Sequence, residues 1–141
     1  MSELDQVTKD RIEIQDVMLR YAAGVDERDM QMYRSCFADD VEVVGFGDAT
    51  VQGGDAWTEY VVGALGRFEA TQHMLSPVLA TIDGDMADAR TDVQAFHFLK
   101  EPAGHTLTLW ATYRSKMRRT AQGWKICRHE LVSRGTRIQE G

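Results

Sequence analysis

Nothing in this 141-residue chain approaches the length of apolar run needed to cross a bilayer, and a membrane partner is accordingly not expected. Cysteine is nearly absent too. The two thiols, Cys36 and Cys127, lie far apart, and no secretory leader precedes them, so we expect reduced cysteines and a cytoplasmic location. Positive charge is in deficit, with 16 Lys and Arg against 22 Asp and Glu, a formal net charge of −6. That balance keeps a small domain in solution and argues against a general binder of phosphate backbones, so no nucleic-acid partner is expected. There is no internal repeat, no low-complexity tract and no Pro/Gly/Ser linker, and the seven methionines form no stripe. Residues 1–141 therefore read as one domain, large enough to bury a core without staples.

What is present divides into helical patterning first and strand patterning afterwards. From Thr8, read as an N-cap with Asp10 in the first turn, the residues Ile14, Val17, Met18, Tyr21, Ala22 and Val25 recur at three and four, giving an amphipathic helix that ends near 24–26. Met30, Tyr33 and Phe37 suggest a short second helix, with Asp39 and Asp40 in a turn. "VEVVGFGDATVQGG" reads as a hairpin, and Asp55 as the cap of a third helix through Trp57, Tyr60, Val61, Ala64, Leu65 and Phe68. Residues 70–82, 86–100, 105–118 and 123–134 then read as long strands separated by "DGD", "EPAG" and "TAQG", which favours an antiparallel meander. The expected class is α+β: a curved antiparallel sheet with three N-terminal helices packed on its concave face, forming a cone whose apolar interior could take a small ligand.

Strand periodicity locates the polar residues relative to that interior. Along 86–100, Ala87, Ala89, Thr91, Val93, Ala95, His97 and Leu99 share the small, apolar face. Thr71, His73 and Leu75 share a face of the preceding strand, with Pro77 set to interrupt its ladder. On the last strand Cys127, His129, Leu131 and Ser133 do the same. Three of the four histidines can thus point inward together, whereas His105 lies beside a turn and reads as exposed. An unpaired imidazole in an apolar interior costs about 1–3 kcal/mol, so His73 needs a partner. Asp26, at the end of the first helix, is the one available; it serves equally well on its residues alone as a helix cap, as does Asp29. Held against His73, an aspartate would fix the tautomer and raise the basicity of the ring, making a general acid/base dyad.

The ordered set "LRYAAGVDERDMQMYRSCFADDVEV", "GGDAW", "TQH", "TIDGDMADA" and "GWKICRHE" resembles SnoaL-like and scytalone-dehydratase-like members of the nuclear transport factor 2-like superfamily over essentially the whole chain. The resemblance implies a cone-shaped α+β barrel, a homo-oligomer (dimer or trimer), a hydrophobic pocket, and no metal or organic cofactor. Dehydratases and a dehydrochlorinase of that family pair an Asp at the end of the first helix with a His on the strand after the third, positions that Asp26 and His73 match. His97 matches a second histidine of scytalone dehydratase. Val25 stands where that dehydratase has a tyrosine, Thr108 and Trp110 fall near its substrate-binding serine and asparagine, and Tyr21 and His129 stand where the dehydrochlorinase has a lysine and an arginine.

The expected function is a cofactor-independent, dehydratase-like lyase. Asp26 and His73 would abstract a proton, and His97, Tyr21, His129, Trp110 and Phe46 would line the pocket or orient a water or substrate oxygen. The partner would be a small hydrophobic ring compound. An isomerase or polyketide cyclase on the same cone and a non-catalytic binding or assembly module are the other readings. Cys127 beside His129 reads as an inert thiol rather than a nucleophile, the histidine spacings make no zinc motif, and the basic positions Arg114, Lys116, Arg118, Arg119 and Lys125 read as a solvated strand edge.

Overall fold

The computed structural model describes residues 3–48 and 50–141. Its elements are α1 (Glu3–Asp26), α2 (Met30–Ser35), β1 (Phe37–Val44), β2 (Val51–Gln52), α3 (Gly54–Leu65), β3 (Phe68–Leu75), β4 (Leu79–Asp83), β5 (Met86–Leu99), β6 (Thr106–Thr120) and β7 (Gly123–Gln139). The seven strands form one curved, unclosed sheet in the order β2-β1-β7-β6-β5-β3, with β4 also paired to β5. As expected, β5, β6 and β7 make an antiparallel meander. The sheet is nevertheless mixed, because β1 runs parallel to β7. One helix and five strands separate these two in sequence, so no turn chemistry announces their pairing.

The heptad-like face of α1 is what attaches it to the sheet. Ile14, Val17, Met18, Tyr21, Ala22 and Val25 are all buried, and all but Ala22 pack into one core with Phe37, Val41, Val43, Trp57, Ala87, Ala89, Val93, Met117 and Ile126. α1 begins five residues before the expected Thr8 cap, at Glu3, so Asp10 is not in its first turn. Asp10 is instead buried in the helix body, where it accepts two hydrogen bonds from Arg119 at 2.8 and 2.9 Å and one from the Trp124 indole at 3.2 Å. These partners hold its carboxyl down to about 2 despite burial. A carboxylate that reads as a first-turn charge in sequence is therefore a cross-link between α1 and the end of β6.

Several local expectations change for equally specific reasons. Asp39 and Asp40 lie in β1, not in a turn, where Arg34 and Arg118 take up their charge. Gly53, with φ 97°, is the N-cap of α3, while Asp55 lies in the first turn and pairs with Arg34 at 2.8 Å. The expected strand 70–82 breaks at 76–78 into β3 and β4, because Pro77 has no N–H to offer the ladder and the Ser76 hydroxyl accepts from the Asp92 N–H instead. The hairpin forms as read between β1 and β2; Ala49 lies outside the described residues. Of the basic positions read as a solvated edge, Lys116, Arg118 and Arg119 are each paired to aspartates, and Lys125 donates to the Ser35 carbonyl. Among the described residues no helix is long and apolar enough to cross a membrane.

Candidate functional site

The site is built where α1 ends on β3. A run of buried residues brings α1 down onto the sheet, and its last helical residue, Asp26, meets the middle of β3. The Asp26 Oδ1 lies 2.7 Å from His73 Nδ1, and Oδ2 accepts the His73 backbone N–H, also at 2.7 Å. A third donor, the Thr71 hydroxyl, reaches Oδ1 at 3.0 Å. The side chains are only 9% (His73) and 20% (Asp26) exposed, so water competes little for these bonds. Burial pushes the Asp26 carboxyl up, but hydrogen bonds from the His73 ring and backbone, and from Thr71, outweigh it and leave the group below its usual range. A carboxylate can only accept, which places the ring proton on Nδ1 and the lone pair on Nε2.

His97 is the neighbour of this pair. Its ring centroid lies 6.0 Å from that of His73, nearly perpendicular to it, and 4.7 Å from Phe68. Nδ1 donates to the Leu107 carbonyl across β5–β6 at 3.0 Å, so Nε2 is again the acceptor nitrogen. Burial lowers the pKa of this imidazole, which the Leu107 bond offsets only in part. Strand periodicity puts His73 and His97 on the inward face, and the end of α1 brings Asp26 to them.

Tyr21 and His129 form a separate group, deeper in the core. The Tyr21 hydroxyl is 2.9 Å from His129 Nε2, and the Ser115 hydroxyl is 2.9 Å from Nδ1, so both ring nitrogens are satisfied. His129 is fully buried and Tyr21 is 2% exposed. Desolvation takes the imidazole down to about 3 and the phenol well up, so both are neutral. Phe46 stacks on this imidazole at 5.5 Å and packs tilted against Trp57 at 4.8 Å. Tyr113 joins the two groups: its phenol ring lies 5.2 Å from Tyr21 and is pushed up by burial, then by Tyr21 and Asp26. The polar tips of Tyr21 and His129 are committed to one another, which removes them from the role of orienting a substrate oxygen.

Trp110 does not line the interior. In the β5–β6 register Val93 faces Ala111, and Ala111, Tyr113, Ser115 and Met117 are the buried positions on that face of β6, with Thr112 buried on the other. Trp110 has the opposite parity and pairs with Gln94 on the outer face, where both border a cleft of about 570 Å³ with Met74 and Arg134. That cleft lies across the sheet from the dyad. Cys127 is also displaced: a β-bulge opposite Lys116 and Met117 resets the alternation, so Ile126 and His129, three apart, both face inward. The Cys127 thiol donates to the Lys116 carbonyl and is pushed up by burial, so it is neither activated nor beside His129. His105 is half-buried rather than exposed, with Nδ1 enclosed and unpartnered. Among the described residues no cluster of His, Cys, Asp or Glu is arranged to hold a metal.

Arg28, Ser115 and Tyr113 carry polar contacts in these groups, and sequence reading passed over them; Thr71 was placed on the His73 face but given no role. Inward parity alone would have pointed to Tyr113 and Ser115 beside Ala111. Nothing local points to Arg28.

An open cone of helices on a curved sheet, with a carboxylate–imidazole pair where the first helix meets it, defines a protein of the nuclear transport factor 2-like class. Residues 6–130 match the SnoaL-like domain, and the chain belongs to that family. Solved structures agree in fold. A hexachlorocyclohexane dehydrochlorinase, type 2, superposes with a TM-score of 0.88 at 22% identity, covering 99% of this chain and 95% of that one. A scytalone dehydratase-like protein from Novosphingobium aromaticivorans gives 0.86 at 22%, covering 100% and 93%. A nuclear transport factor 2-like protein with a cystatin-like fold from the same organism gives 0.74 at 26%, covering 92% and 84%. No curated protein matches the sequence significantly.

Proposed function

We propose that this protein is a cofactor-independent lyase that eliminates a leaving group from a small, largely hydrophobic ring compound, with His73 as general base and Asp26 as its partner. The observation that supports this is the double contact of Asp26 with the ring Nδ1 and backbone N–H of His73. Nε2 takes a proton from carbon, the C–H electron pair forms a double bond to the neighbouring carbon, and the bond from that carbon to hydroxyl or halide breaks; a halide leaves as the anion, and a hydroxyl leaves as water by taking up the proton that His73 removed. Asp26 stabilises the imidazolium formed in this step, and a water-poor surrounding strengthens that attraction. His97, neutral and with Nε2 as an acceptor, holds a hydroxyl or water on the substrate. The dehydratase-like and dehydrochlorinase neighbours share this scaffold, which supports elimination as the reaction class.

We further propose that the chain works as a homo-oligomer in the cytoplasm, its partner copy covering Met74, Phe98 and other exposed apolar side chains of the outer sheet. Exchange of solvent deuterium into a panel of hydrophobic ring alcohols, ketones and halides, followed by mass analysis, tests the chemistry. Loss of water or halide with a new double bond is expected. Exchange with retained mass would replace elimination by isomerisation, and binding with no exchange would leave a ligand-binding module.

A further inference from the structure

α1 ends in a Schellman motif: the Asp29 N–H bonds to the Gly24 carbonyl at 2.8 Å and the Arg28 N–H to the Val25 carbonyl at 3.1 Å. The residue at the turn of that motif must adopt the left-handed conformation, and here it does so with φ 58°. Glycine is the usual occupant, because a Cβ is strained there. This chain has Arg28, the one non-glycine residue with positive φ among those described. Its side chain turns back over the helix end, where Nη1 donates to the Val25 carbonyl at 2.6 Å and to the Thr71 hydroxyl at 2.9 Å. Thr71, 7% exposed, donates its own hydroxyl hydrogen bond to Asp26 Oδ1, the oxygen that faces His73 Nδ1.

The four groups form an ordered chain in which each hydroxyl or carboxylate orientation is determined by the one before it. A threonine hydroxyl that accepts from a guanidinium has its proton directed elsewhere, and only Asp26 receives it. We propose that Arg28 and Thr71 are positioning residues that hold the Asp26 carboxylate on His73 and moderate its pull on the imidazole. The inference rests on the Asp26–His73 reading and adds to it a reason for an arginine at a glycine position. With the Thr71 bond in place, Oδ1 shares its charge between two donors, so it holds the imidazolium less tightly than a free carboxylate would. Of the other titratable rings facing this corner, His97 on β5 is the direct cross-strand partner of Thr71, and Tyr113 lies on β6.

The test is an NMR titration of the imidazoles in the wild type, Thr71→Val, Thr71→Ser, Arg28→Gly and Asp26→Asn, recording also the low-field Nδ1 proton of His73. Thr71→Val and Arg28→Gly are expected to move the His73 titration to higher pH and shift its Nδ1 proton, whereas Thr71→Ser, which keeps the hydroxyl, stays as wild type. Arg28→Gly suits the left-handed backbone at this position. A His73 titration unchanged or moved down in either Thr71→Val or Arg28→Gly overturns the proposal, as does Thr71→Ser behaving like valine. Asp26→Asn separates the two levels: it moves His73 to lower pH if the dyad exists, and leaves it unchanged if the dyad reading itself fails.

Discussion

Asp26 holds His73 at two points, one oxygen on the ring Nδ1 and the other on the backbone N–H, each at 2.7 Å. The backbone contact locks the carboxylate to the strand, so the ring contact cannot drift without breaking both. Substitution should therefore separate chemistry from folding. Asp26→Asn and His73→Ala are each expected to lower proton exchange and turnover by about 100-fold or more, the scale of general base catalysis. Circular dichroism should show the fold retained. Activity surviving either change removes that residue from the mechanism.

Acid stability should fall in two separate windows. His129 is depressed to about 3 by burial, so between its ordinary 6.5 and that value the unfolded chain binds a proton that the folded chain refuses. The native state thus loses stability as pH falls from about 6.5, by about 2 kcal/mol between pH 7 and pH 5. His97, also lowered, adds to the same window. Asp10 and Asp26 act lower down: their folded values are depressed, so their contribution is complete above 3.8 and disappears as pH falls, for Asp10 toward about 2. Urea melts at pH 7 and pH 5 check this, and His129→Gln should flatten the upper window; an equal slope in the variant would contradict the assignment.

Tyr33 accepts a hydrogen bond from the Trp57 indole at 2.9 Å, and both rings are buried. Tyr33→Phe leaves that indole N–H without its acceptor and should cost about 1–3 kcal/mol in chemical denaturation. Proton exchange at the dyad should be unaffected, since Tyr33 touches neither Asp26 nor His73.

Gly24 lies where α1 and α2 approach most closely. A Cβ there would come within 2.9 Å of the Tyr33 backbone nitrogen and 3.0 Å of its Cα. Backbone cannot move aside as a flexible side chain would. Gly24→Ala is expected to destabilise by about 1–3 kcal/mol, read as a lower melting temperature, even though alanine is the better helix former. A neutral result would mean that α2 shifts freely.

The order of elements, the buried face of α1 and the inward parity of His73 and His97 were all legible, because each depends on periodicity within one segment. The end of α1 at Asp26 was legible too. The partnership of Asp26 with His73, by contrast, was carried by resemblance: its residues alone left a helix cap equally open, and Asp29 is in fact the residue that caps α2, accepting from the Met32 N–H. Trp110 was misplaced for want of the β5–β6 register.

The sequence by itself determined the class: helical spacing followed by strand alternation, in an order that belongs to the SnoaL-like family. Only the tertiary structure decided which polar groups face one another. A single bulge at Cys127 turns its thiol away from His129 and gives that ring to Tyr21 and Ser115, and a helix end reverses direction so that Arg28 reaches Thr71. Such pairings join residues tens of positions apart, and their free energy comes from burial and hydrogen-bond geometry that no local spacing records.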